Sequence, residues 1–282
     1  MLCETRERVV IVGTSRSGTT LLQSMLASHS SFFTIQELHF FDTVIPKKKY
    51  LRFKSWVSKK EVKRVKGIFC NIKKHNILDK IEDKCYYNKK KWAKILFLLM
   101  DEYAQSFGKK NWVEKTPLNL YYIDLYEKIN PKIKIIHMVR EPISNIASLI
   151  DASLNNSNYF KQDNVVKAVK RYKSDFFEHQ KHINKHNHFF ISYNNLVNNP
   201  RKVLIELCEF LNIEFEEDMI YNFSNSATSI IHKDEVWKSK NTESKLVKSK
   251  KWKDVLHEND IKYIENKLSN INIERLFIKN LN

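Results

Sequence analysis

Apolar positions along the chain fall into two recurring patterns. Short continuous runs mark strands buried on both faces, and runs spaced by three and four mark helices. Val9-Val10-Ile11-Val12 is the first continuous run, closed by Gly13, and Leu21, Leu22, Met25 and Leu26 then repeat at helical spacing over Thr19 to His29. Phe32 to Ile35 reads as a second strand, leading to Gln36-Glu37-Leu38-His39-Phe40-Phe41-Asp42. Trp92, Ile95, Leu96, Leu99, Tyr103 and Phe107 lie on one helical face, with Gly108 as a cap. Asn111 to Lys115 is a short strand, and Thr116-Pro117 supplies an N-cap and first helical residue for a helix ending at Asn130-Pro131. Ile133 to Val139 is the second clear buried strand and stops at Arg140, after which Glu141-Pro142 opens another helix. A long amphipathic helix is expected from about Asn164 to His186, a strand at Phe189 to Tyr193, a helix from Asn199-Pro200 through Leu211, and a last helix from about Asn259 to Leu268.

Strands alternating with helices predict an α/β fold whose central parallel sheet is flanked by helices on both faces. No repeat, linker or low-complexity block interrupts residues 1–282, which are expected to form one domain. A basic helical insertion is expected at about 43–110. Its first part alternates lysine clusters with Tyr50, Phe53 and Trp56, and reads either as a substrate-facing lid or as a solvated helical surface.

Composition narrows the function classes. With 42% hydrophobic and 12% aromatic residues the chain can fill a sizeable core. The formal net charge of +17 favours anionic partners, although lysine abundance alongside many Asn and Ile is equally a coding bias. Charge alone suggests a nucleic-acid binder. No recognition motif accompanies it, so no nucleic-acid partner is expected. Four scattered cysteines without a C-x-x-C pair speak against a zinc site or a disulfide framework and suit a reducing compartment. The most apolar run, Ile95 to Met100, is far short of the ~18 residues a membrane span needs. With no signal-like segment before Val9, the expected location is cytoplasmic.

The candidate chemistry starts at the end of the first strand. Gly13 and Gly18 bracket a loop that opens a helix, the arrangement that points backbone N–H groups at an anion. Their spacing matches a triphosphate-binding loop, but Thr19 stands where that loop needs lysine. Arg16 puts a cation inside the loop instead, and Ser17, Thr19 and Thr20 add hydroxyls. Such a loop suits phosphate or sulfate, with no metal site evident. A kinase-like nucleotide-triphosphate enzyme, a non-catalytic binder and a plain strand-turn-helix stand as alternatives.

The stretch Gly13-Thr14-Ser15-Arg16-Ser17-Gly18-Thr19-Thr20-Leu21-Leu22 resembles the 5′-phosphosulfate loop of sulfotransferases. These use 3′-phosphoadenosine 5′-phosphosulfate (PAPS) as donor and release PAP. Their second signature, an Arg ending a central strand with a Ser eight residues on, is matched by Arg140 and Ser148. Eight helical residues rise ~12 Å, about two turns, so the pair can approach one phosphate from two sides. The resemblance implies a P-loop-like sulfotransferase fold. It assigns Arg16, Ser17, Gly18, Thr19 and Thr20 to the phosphosulfate and Arg140 and Ser148 to the 3′-phosphate.

Glu37 to Asp42 resembles the segment of heparan sulfate sulfotransferases that carries their catalytic glutamate, and Glu114-Lys115-Thr116-Pro117 their segment with an active-site lysine. Carried over, Glu37 is the general base, Lys115 and Arg16 act on the transferring group, and His39 and Asp42 face the substrate. Heparan-type enzymes carry lysine where this chain has Arg16. The R-K-G-x-x-G loop and histidine base of the cytosolic aryl and steroid enzymes have no counterpart here. Lys250-Lys251-Trp252-Lys253 resembles a basic-Trp segment of protein-tyrosine and bacterial sulfotransferases, making Lys251 a nucleotide candidate. Tyr193 lies in a segment similar to the family's Y-E-D-L-V, with asparagines replacing its acidic pair. The implied reaction is sulfuryl transfer to a hydroxyl or amine of a glycan or small metabolite, needing no metal. The basic surface of the insertion hints at an acidic acceptor.

Overall fold

A computed structural model of the protein describes residues 6–41, 63, 89–155, 164–231 and 252–278. Its centre is β1 (Arg8–Gly13), flanked by β3 (Asn111–Lys115) and β4 (Lys134–Val139), with β2 (Phe32–Thr34) and β5 (His188–Ser192) at the edges. All four pairings are parallel, in the order β2-β3-β1-β4-β5. Every strand therefore ends on the same side of the sheet, where open parallel sheets bind ligands.

Pleating divides the β1 run between two cores. Val10 and Val12 pack with Ile135 under α2 (Lys89–Ser106) and α3 (Ile123–Ile129). Val9 and Ile11 join Ile136 and Met138 beneath α1 (Thr19–Ala27) and the later α7 (Pro200–Leu211). Val9 to Val12 are wholly removed from solvent, each side chain contributing roughly 1.5–3 kcal/mol of burial. A third cluster joins α4 (Pro142–Asn155), α5 (Val165–Gln180) and α11 (Glu258–Leu268) through Ile146, Val169, Tyr172 and Ile264.

The differences from the sequence reading have local causes. Pro117 opens a 3-10 turn, Pro117–Tyr122, before α3, because the Thr116 hydroxyl donates to Glu114 rather than capping a helix. α5 ends at Gln180 instead of about His186, and the chain turns back so that His182 stacks on His188. Tyr193 is not the last residue of a strand but the first of α6 (Tyr193–Asn198), capped by Ser192. Two short helices, α8 (Asp218–Tyr221) and α9 (Phe223–Ile230), exist because Met219 and Phe223 complete the core under α1. The remaining helix, α10 (Trp252–Val255), precedes α11. Residues 43–62 and 64–88 of the basic segment lie outside the described residues, and α2 packs Trp92, Leu96, Leu99 and Tyr103 into the core.

Two buried carboxylates fix the surroundings of the strand ends. Glu114 on β3 accepts from Thr116 Oγ1 (2.6 Å), Asn119 Nδ2 (2.6 Å) and Tyr126 OH (3.1 Å). Burial raises its pKa against the pull of these donors. Glu114→Ala strands three buried donors and is expected to cost about 2–4 kcal/mol in urea unfolding. Glu114→Gln keeps an acceptor and is expected to cost markedly less.

Asp175 on α5 is pushed up to about 6 by burial, with hydrogen bonds from Tyr121 and Thr14 pulling the other way. Because its unfolded value is 3.8, the folded state binds the extra proton between these limits. Stability is thus lost as pH rises through that window and stays lost above it. The shift corresponds to about 3 kcal/mol. Asp175→Asn is expected to raise unfolding stability at pH 8 by up to that amount and to change little near pH 3.5.

Candidate active site

Beyond Gly13 the chain has to turn sharply into α1, and the glycines allow it. A Cβ on Gly13 would lie 2.5 Å from the Met138 carbonyl oxygen, and one on Gly18 would lie 2.4 Å from the Tyr193 ring. Gly18 sits at φ 96° as the N-cap of α1, and Arg16 is also left-handed at φ 70°. The Ser17 amide closes the turn on the Thr14 carbonyl at 3.1 Å. The loop is held from outside by Asn145 Nδ2 on the Ser15 carbonyl (3.1 Å) and Arg140 Nη1 on the Arg16 carbonyl (3.2 Å). With its carbonyls thus occupied, its open side presents the first amides of α1 and the positive end of the helix dipole.

Side-chain charge concentrates at the same place. Arg16 Nε donates to Ser148 Oγ at 3.3 Å. The Arg140 guanidinium lies over the Tyr193 ring, 4.5 Å from its centroid, and its carbonyl accepts from Tyr172 OH at 2.7 Å. Burial lowers the pKa of both arginines, and their mutual repulsion adds to the lowering at Arg16. Two buried donors, Ser17 Oγ and Arg140 Nε, have no hydrogen-bond partner among the described residues. Unsatisfied donors beside desolvated cations form a site that an oxyanion completes.

On the far side of Thr20 lies a second group. Lys115, at the end of β3 and 1% exposed in its side chain, donates to Thr20 Oγ1 at 3.2 Å and to Glu37 Oε1. Glu37 Oε2 lies 3.3 Å from His39 Nε2. His39 has φ 46°, and its amide reaches Thr116 Oγ1 at 3.4 Å. The network centred on Glu114 therefore also steadies the turn that presents Glu37 to Lys115. A mostly buried carboxylate, a buried ammonium and a hydroxyl meet at one point beside the anion loop. That combination suits proton removal together with stabilisation of developing negative charge.

The structure brings Arg16, Ser17, Gly18, Thr19, Thr20, Arg140, Ser148 and Tyr193 around one loop, and Glu37, His39 and Lys115 beside it. Asp42 and Lys251 lie outside the described residues. Sequence reasoning missed Asn145, Tyr172 and Thr116, which hold the loop, Arg140 and the His39 turn. Asn145 was findable, since it lies one helical turn before Ser148 on α4. Tyr172 became relevant only when α5 packed on α4.

The model of the sulfotransferase family matches residues 8–217, three-quarters of the chain. No curated protein matches it. Among solved structures, the sulfotransferase domain of the curacin biosynthetic pathway is similar over 94% of this chain and 98% of that one, with 20% identity and a TM-score of 0.61. The sulfotransferase domain of a Synechococcus olefin synthase is similar over 95% and 98%, with 17% identity and a TM-score of 0.57. A mouse sulfotransferase solved with PAP is similar over 98% and 86%, with 14% identity and a TM-score of 0.56. At such identities the likeness carries the fold, a parallel sheet with helices around it. The family match spans every strand from β1 through β5 and both groups of site residues, and on it the chain belongs to the sulfotransferase family.

Proposed function

We propose that the protein transfers a sulfuryl group from PAPS to a hydroxyl or amine of a glycan or small metabolite. The observation that carries this reading is Lys115, whose buried ammonium joins Thr20 of the anion loop to Glu37. A phosphate seat alone would serve many nucleotides. A carboxylate held one residue away from that seat by a shared cation serves a reaction in which an acceptor loses a proton next to the group being transferred.

Within this reading Arg140, Ser148 and the unpartnered Arg140 Nε hold the 3′-phosphate, while Arg16, Ser17, Gly18, Thr19 and Thr20 hold the phosphosulfate. Tyr193 supports Arg140 and closes over Gly18. Glu37 takes the acceptor proton as the acceptor atom bonds to sulfur. The bond from sulfur to the bridging oxygen then breaks, and Lys115 and Arg16 face the charge that collects on the leaving PAP. Catalysis of this kind is positioning and electrostatics, comparable to phosphoryl transfer. His39, exposed beside Glu37, and Asp42 belong to the acceptor side, and Lys251 to the nucleotide. No residue in this scheme needs a metal.

The test is a ligand comparison followed by turnover. PAP is expected to raise the melting temperature more than ATP with magnesium does. Arg140→Ala is expected to weaken PAP binding by roughly 10–100-fold. Labelled PAPS presented with acidic glycans, neutral glycans, lipids and phenols should identify the acceptor class. With that acceptor, Glu37→Gln is expected to lose on the order of 10²–10⁴ in rate while keeping the PAP-induced shift. Full activity in Glu37→Gln would remove the base assignment, and equal stabilisation by ATP would remove the donor assignment.

A further inference from the structure

Four histidines converge beside β4, in a row that runs from the start of β5 towards the anion loop. His137 lies on β4, His179 near the end of α5, His182 in the turn after it, and His188 at the start of β5. Glu127 on α3 completes the group. His188 Nε2 is 3.0 Å from Glu127 Oε1, and Lys185 Nζ takes the other carboxylate oxygen at 2.6 Å. The His182 ring stacks on His188 with centroids 4.9 Å apart and planes at 6°. His182 is 96% buried, yet neither of its ring nitrogens has a hydrogen-bond partner among the described residues. One ligand atom each from Glu127, His182 and His188 lie within 4.8 Å of one another.

We propose that Glu127, His182 and His188 form a binding site for a divalent transition-metal ion of the zinc type. Two imidazoles and one carboxylate are a ligand set that such ions accept, with a fourth position left for water. The site would satisfy a buried His182 whose ring nitrogens have no partner among the described residues. His188 already has the outer support that metal-bound histidines require, because its Nδ1 lies 2.7 Å from His137 Nε2. Lys185 holds Oε2, and Oε1, which faces His188 Nε2 and accepts from Asn187 Nδ2 at 3.3 Å, is the ligand atom.

The outer support does more than orient His188. Glu127 accepts from Lys185 Nζ at Oε2 (2.6 Å) and from Asn187 Nδ2 at Oε1 (3.3 Å). A carboxylate so placed is the acceptor towards His188 Nε2–H, and His188 Nδ1 then accepts from His137 Nε2–H. His137 Nδ1 in turn accepts from His179 Nδ1–H across 2.8 Å. This leaves His179 Nε2 bare, and it has no partner among the described residues. His179 lines a small cavity with Thr14, Val139, Arg140, Tyr172 and Phe176.

A metal ion on His188 Nε2 displaces that proton to Nδ1. Each link then reverses: His188 donates to His137 Nε2, His137 donates to His179 Nδ1, and the proton of His179 moves to Nε2. No proton is gained or lost, and Glu127 Oε1 passes from the proton to the metal. The far end of the chain, beside Thr14 and Arg140, changes from acceptor to donor.

The test uses the full chain stripped with chelator. Zinc titrated calorimetrically is expected to bind at one site per chain, and cobalt in its place is expected to give the visible absorption of a low-symmetry four- or five-coordinate ion. His182→Ala and His188→Gln, checked for folding by circular dichroism, are expected to weaken zinc binding at least 100-fold. In wild type, histidine nitrogen resonances should report His179 passing from Nδ1–H to Nε2–H at saturating zinc. This readout needs no variant to fold. Absence of saturable binding, unchanged affinity in both folded variants, or an unmoved His179 tautomer at saturation would each overturn the site.

Discussion

Two guanidinium groups drawn out of water at one loop set the terms for the rest of the molecule. Arg16 and Arg140 repel each other, and burial disfavours the charge on both. Such an arrangement persists only where the surroundings over-determine it. Here the Arg16 carbonyl, the Tyr193 ring, the Ser148 hydroxyl and the Tyr172 hydroxyl each fix one part of the pair. Two glycines are needed because the backbone must approach Met138 and Tyr193 more closely than a Cβ permits. The sheet, α4, α5 and α6 can all be understood as the frame that keeps these charges together and facing an open side.

Much of this was legible because periodicity and glycine placement are local signals. The β1 run, the loop, α1, β4 and the Arg140–Ser148 pair each depend on residues within about ten positions, and Arg140 and Ser148 both reach Arg16, one at its carbonyl and the other at its guanidinium. Glu37 and Lys115 lie 78 positions apart, and only their segments' resemblance to a known family connected them. Tyr193 reads as the end of the strand that starts with the apolar run Phe189-Phe190-Ile191, whereas Ser192 caps a helix that begins at Tyr193. The Thr116-Pro117 signal was sound as a boundary and mistaken as a cap, since a buried carboxylate competed for the hydroxyl. α8 and α9 carry weak local patterns and are held by tertiary packing on α1.

The histidine cluster was invisible for a related reason. His137, His179, His182 and His188 come from one strand, one helix, one turn and the start of another strand, and although the last three are close in sequence, His137 lies 42 positions before His179. Their meeting depends on α5 ending at Gln180, six residues before the amphipathic pattern fades. The shortened helix lets the chain reverse and lay His182 flat on His188. A pattern-based boundary error of this size concealed a whole cluster.

Both ends of the sheet are thus linked through β4. The strand begins beside His188, carries His137 in its middle and ends at Arg140, and the hydrogen-bonded chain of rings runs beside it to a cavity that Arg140 shares. Burial lowers the pKa of all four rings. A chain of uncharged rings can respond to an ion at one end only by moving protons between its own nitrogens. Charge next to the anion loop then stays constant while the hydrogen-bonding character of one group there inverts. For a site already crowded with two buried cations, an influence that adds no further charge is the kind the fold can accommodate.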